Sequence, residues 1–176
     1  MTDAIQGVFD LFGGLQNPAY QHALINHFPI IGSILAALAL AAALLTRTRA
    51  ALMPGLLIAA VAGISAWPTY FTGSEAYKPI RKLSDDAGID FLDLHMDRAD
   101  EATWVFYLFA GLALLAWATL SKWPRLATAL STLTLLAALA STIAGIYIAR
   151  PGGCVRHPEF RPSPAPEEQK ILPQHE

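Results

Sequence analysis

The chain has 176 residues, 54% of them hydrophobic and only 15% charged, with a net charge of −2, a mean hydropathy of +0.40 and a pI near 6.2. Soluble domains carry about 25% charged residues, so the balance points to a membrane protein, and the lack of a basic excess sets nucleic acid aside as a partner. A single cysteine, Cys154, excludes an internal disulfide and any CxxCH motif for covalent haem.

Residues 1–19 form an N-terminal segment with no Lys or Arg and with Asp3 and Asp10, unlike the basic start of a signal peptide. The first span is therefore expected to be retained. Ile5, Val8, Phe9 and Phe12 recur at helical spacing and suggest a short amphipathic helix at the membrane interface.

A bilayer core about 30 Å thick needs about 20 mostly apolar residues per helix. Residues 20–45, 50–71, 102–120 and 126–149 meet that requirement and hold no charged residue in mid-run. Each run is apolar all round, without the polar stripe of a soluble amphipathic helix. The first two runs are joined by TRTR at 46–49 and the last two by SKWPR at 121–125. Two antiparallel hairpins follow, giving an all-α, integral membrane four-helix bundle over 20–160. The short joints are basic and acid-free, which places them in the cytoplasm of a bacterial inner membrane and both termini on the periplasmic side.

Gly and Pro mark the expected span edges: Pro54-Gly55 opens the second, Pro68 and Thr72-Gly73 close it, and Arg150-Pro151-Gly152-Gly153 stops the fourth. Between the middle runs lies a long outer connection, 72–101, with a short extra helix. There Asp90, Asp93, Asp97, Asp100 and Glu101 share one helical face, with His95 turned about 140–160° from the aspartates, toward the bundle. The Pro- and charge-rich tail, 161–176, reads as disordered.

His22, His27, Glu75, His95 and His157 all fall at the outer ends of the spans. Imidazole is a common ligand for transition metals and haem iron, and bundles build such sites from facing helices. His27 and His95, at the tops of two different spans, are the expected ligand pair for haem b or a transition metal. His22 lies about 140° from His27 on a regular helix, so it is assigned an accessory role, with Asn26 fixing its tautomer. Glu75 and His157 complete the candidate metal set. Pro29 removes a backbone donor, which frees carbonyls near Ile25 and Asn26 for polar groups at the bundle mouth. Cys154 reads as a small apolar filler.

NHFPI at 26–30, TGSEA at 72–76, LHMDRADEA at 94–102 and GGCVRHPEF at 152–160 together resemble a bacterial family of uncharacterised four-span membrane proteins. In that family an HFP motif opens the first helix, and a TGxEA-like turn, a His-Glu pair and a GG-x-[IV]-R-H-P-E ending follow. The resemblance implies that His27, Glu75, His95 and His157 act as one constellation. This chain departs at Met96, which separates His95 from Asp97 where the family has a glutamate directly after the histidine, and at Cys154, where a lysine-like residue is usual.

The expected function is electron transfer through a histidine-held haem b or metal at the outer face, with the bilayer and a membrane redox complex or homo-oligomer as partners. The competing expectation is a non-catalytic structural or assembly subunit of a larger membrane complex. No nucleophile motif supports hydrolysis, and whether the protein is an enzyme stays open at this level.

Overall fold

A computed structural model describes residues 13–162, so most of the expected interfacial segment, 1–19, and nearly all of the expected tail, 161–176, lie outside the described residues. Six α-helices follow one another: α1 (Pro18–Ile25), α2 (Phe28–Thr46), α3 (Arg49–Leu83), α4 (Asp86–Ala102), α5 (Trp104–Thr119) and α6 (Pro124–Arg156), then a 3-10 turn, Pro158–Phe160. Taken with their near-continuous neighbours they make four rods, Pro18–Thr46, Arg49–Leu83, Asp86–Thr119 and Pro124–Arg156, each long and apolar enough to cross a membrane. The chain is thus an all-helical four-rod bundle and, by length and composition, a multi-pass membrane protein.

Packing follows from residue size. The core is built from alanines with a few larger side chains: Ala36, Leu40, Leu56, Ala59, Phe109, Ala113 and Ala138 are buried. Small residues let helix backbones approach closely, which is how helices associate where lipid is as apolar as the core. The large aliphatics face outward instead, with Leu38, Val61, Leu115 and Ile143 exposed at mid-helix, as lipid contact requires.

The rods are longer than the expected spans. Helix α3 has 35 residues, about 50 Å at 1.5 Å per residue, against a hydrocarbon core of about 30 Å. It does not close at Thr72-Gly73 but runs through Pro54, Pro68 and Pro79 to Leu83. The expected outer connection is therefore almost entirely helical, and only Ser84 and Asp85 separate α3 from α4. Likewise α6 passes Pro151 and ends at Arg156. The ends of the rods away from the two short basic joints, here the outer ends of the bundle, form a polar storey beyond its apolar middle.

Helix α6 does not end at Pro151 because the backbone group that this proline frees finds another partner. A proline withholds the N–H that the carbonyl four residues earlier would accept. For Pro29, in the first turn of α2, that carbonyl is Ile25; the Thr69 hydroxyl on α3 lies 3.3 Å from it, but its single proton is better placed on the Ser65 carbonyl at 2.8 Å. For Pro151 the carbonyl is Tyr147, which accepts from Arg98 Nη1 on α4 at 2.8 Å. The interruption of the first rod at Asn26-His27 leaves Pro29 in the first turn of α2, where its missing N–H removes no intrahelical bond of that helix.

The outer storey is laced together by polar side chains. Asp93 accepts from Tyr77 and, at 2.7 Å, from Arg81 on α3. Tyr70 donates to Asp100 and Tyr147 to Glu101. As the sequence spacing suggests, Asp97, Asp100 and Glu101 are exposed while Phe91, Leu92 and Ala99 pack inward.

Arg161, assigned to the disordered tail from sequence, is instead a clasp. Its two terminal nitrogens bind Asp85 at 2.7 and 2.9 Å, and its Nε binds the Cys154 carbonyl at 2.8 Å. The guanidinium holds the Asp85 carboxyl below its ordinary value of 3.8. Because the folded value is the lower one, the clasp contributes fully above the unfolded value and is lost as pH falls through the folded one. Amide exchange at Phe160 and Arg161, scaled to an unstructured peptide, is expected to rise as the pH drops below 3.8. Asp85→Asn should show the faster exchange already at neutral pH; unchanged protection in that variant would remove the clasp from the stability of this end.

A two-histidine cavity at the outer end of the bundle

The outer storey encloses a cavity of about 720 Å³ whose wall includes His22, His27, His95 and His157. This is within the range of about 300–1,000 Å³ typical of ligand and cofactor sites. Its floor is apolar, with Ile30, Ala66, Phe106 and Gly145, and its sides carry Tyr70 and Tyr77.

Two of the four histidines are positioned from both sides. His22 on α1 has its Nδ1 3.0 Å from the Thr69 carbonyl of α3, and His95 on α4 has its Nδ1 2.7 Å from the Ile148 carbonyl of α6. A carbonyl can only accept, so each Nδ1 carries the proton and each neutral ring keeps its lone pair on Nε2. The ring centroids lie 6.3 Å apart with an interplanar angle of 70°.

Two glycines make room for these rings. A Cβ at Gly73 would stand 3.0 Å from His22 Cε1 and 3.1 Å from Nδ1, and one at Gly152 would stand 3.1 Å from His95 Nδ1. Both distances are tighter than a side chain tolerates without displacing the imidazole. TGSEA and GGCVRHPEF therefore each contribute a glycine against which a histidine lies.

This arrangement revises the expected pairing. His95 turns into the bundle as its helical position requires, but its neighbour across the cavity is His22, the residue assigned the accessory role. His27 ends up exposed in the turn between α1 and α2, at the N-cap of α2, where its side chain caps nothing. The reason is the offset of about 140° between the two: Asn26 and His27 keep right-handed helical dihedrals and the Asn26 N–H still bonds the His22 carbonyl, so only one of the two rings can face His95, and it is His22. The tautomer of His22 is fixed by Thr69 rather than by Asn26, whose Oδ1 is buried without a partner.

The remaining candidates sit further out. His157 is exposed at the cavity rim, with its Nδ1 3.1 Å from Glu159 and its ring 4.8 Å from that of Phe160. Glu75 is exposed on α3 and takes no part in the cavity wall. Cys154 is buried, with its thiol against the Phe160 carbonyl at 3.4 Å. Among the described residues no three of His, Cys, Asp or Glu gather closely enough to hold a metal ion, so the five-residue metal set does not form one ligand sphere.

The residues that sequence reading passed over are the positioning ones: Thr69, Gly73, Gly152 and the Ile148 carbonyl. A signal existed for Thr69, since Pro29 frees the very carbonyl beside which its hydroxyl lies. The chain matches no protein-family model, no curated protein and no solved structure.

Proposed function

We propose that the cavity holds a haem b between His22 and His95, and that the protein passes electrons at the outer face of a bacterial inner membrane. The observation that carries this reading is the pair of opposed imidazoles from α1 and α4, 6.3 Å apart and each with its Nδ1 committed to a backbone carbonyl. His22 and His95 would hold the iron through their two Nε2 atoms, which their Nδ1 hydrogen bonds leave free to ligate. Hydrogen bonding at Nδ1 fixes ring orientation and raises the basicity of the other nitrogen, as ligating histidines need.

Two protein ligands favour haem over a bare ion. Haem brings four nitrogens of its own and asks the protein for one or two axial ligands, whereas a structural zinc takes about four protein ligands. A bound haem supplies a one-electron couple tuned by its axial ligands and surroundings. The chain's part is to hold the two imidazoles and line the rest of the space with apolar side chains such as Ile30, Leu92 and Phe106. The cavity wall also includes Arg156, a cation suited to pair with the propionates of a bound haem.

The basic joints between paired helices support an orientation with this cavity outside, facing a quinol-linked or soluble redox partner. The test is the absorption spectrum of protein purified from haem-replete cells, with iron analysis. A Soret band with about one haem per chain is expected. A colourless protein that takes up no haem on titration would remove this reading and leave the assembly-subunit role.

A further inference from the structure

The opposite end of the bundle carries a second cleft, of about 630 Å³, lined by Arg49, Lys122, Trp123, Pro124, Arg125 and Leu126. Arg49 opens α3 in the first hairpin, and the other five residues come from the joint of the second, so the cleft lies between the two hairpins. Its three cations take part in none of the ion pairs among the described residues. Neither 27–74 nor 102–158 contains a single acidic residue, so no side chain from the lower part of any rod neutralises them. Like charges brought together without a counter-ion repel and oppose the packing that gathers them.

We propose that this cleft binds the phosphate of an anionic phospholipid headgroup, which neutralises the three cations and ties the hairpins together. Guanidinium groups match phosphate oxygens with paired hydrogen bonds, and lysine adds a point charge. The surroundings favour a lipid over free phosphate. Trp123 is 59% exposed and Leu126 47%, and an indole beside an exposed leucine at the end of a span is the side-chain pair found where headgroup gives way to acyl chain. Basic pockets between spans are the sequence-readable form of such recognition. The inference depends on the bundle crossing a membrane and is independent of haem binding.

Native mass spectrometry of the full chain in a neutral detergent, with phosphatidylglycerol or phosphatidylcholine of the same acyl chains, tests it directly. One retained phosphatidylglycerol is expected, with phosphatidylcholine lost. Lys122→Gln and the double variant Arg49→Gln/Arg125→Gln should weaken retention by about fivefold for each cation removed. Lys78→Gln, at the other end of the bundle, should leave it unchanged. Thermal unfolding should shift upward with phosphatidylglycerol in the parent and not in the double variant. Equal retention of the two lipids, full retention by the double variant, or the same thermal shift from inorganic phosphate alone would each overturn the proposal.

Discussion

With haem held as proposed, replacing His95 with alanine is expected to abolish its retention, with the Soret band falling to baseline while the helical circular dichroism persists. His95 is the better anchored of the two rings, with its Nδ1 2.7 Å from Ile148 on α6 and Gly152 clearing its position. Even loss of a residue that only orients a ligand costs about 10- to 100-fold in metal affinity, and removal of the ligand itself costs more. His22→Ala is expected to act as strongly, leaving at most a weakly held five-coordinate haem with an altered spectrum. The contrast is His27→Ala, which changes an exposed side chain and should leave the spectrum as it is. A result in which His27→Ala bleaches the protein and His22→Ala does not would restore the pairing expected from sequence and sink the one proposed here. Since neither ring belongs to the alanine-rich core, these variants test the site without dismantling the bundle.

The largest stability effect is expected at Gly63. A Cβ there would lie 2.6 Å from the Phe106 carbonyl oxygen and 2.7 Å from the Ala110 Cβ, so α3 and α5 meet backbone to backbone. Backbone cannot turn aside as a flexible side chain can. Gly63→Ala must therefore push the two rods apart, at a cost of about 1–3 kcal/mol as for other overpacked sites. Gly111, on the neighbouring helix α5, has nothing within 4 Å of its would-be Cβ, and Gly111→Ala should be neutral or gain up to about 1 kcal/mol from helix propensity. Thermal or denaturant unfolding in detergent micelles separates the two. Equal stability of both variants would mean that the α3–α5 contact is looser than its geometry states.

The four rods were legible because their signal is carried by long charge-free runs, and the hairpin joints because they are short and basic. The ends of the rods were not. Pro68 and Pro151 read as stops, since local rules count only the lost N–H, whereas the bundle can supply a partner from another helix, as Arg98 does for the Tyr147 carbonyl freed by Pro151. The convergence of four histidines on the outer end was likewise readable, as was the inward turn of His95. Which histidine faces it was not, because His22 and His27 lie about 140° apart on the first rod and local patterning does not fix which of the two sides that rod turns to α4.

Two of the attachments in the outer storey respond differently to acid. Asp85 and Arg161 are joined through a carboxylate, so protonation unties them. Arg98 grips α6 without any acid: its Nη1 binds the Tyr147 carbonyl and its guanidinium lies 4.2 Å from the centre of the Tyr147 ring. Neither a carbonyl nor a phenol ring changes charge between neutral and strongly acidic solution. An acid titration should therefore peel the 154–161 segment from the N-terminus of α4 first, while the middle of α4 stays bound to α6 and His95 keeps its place beside it.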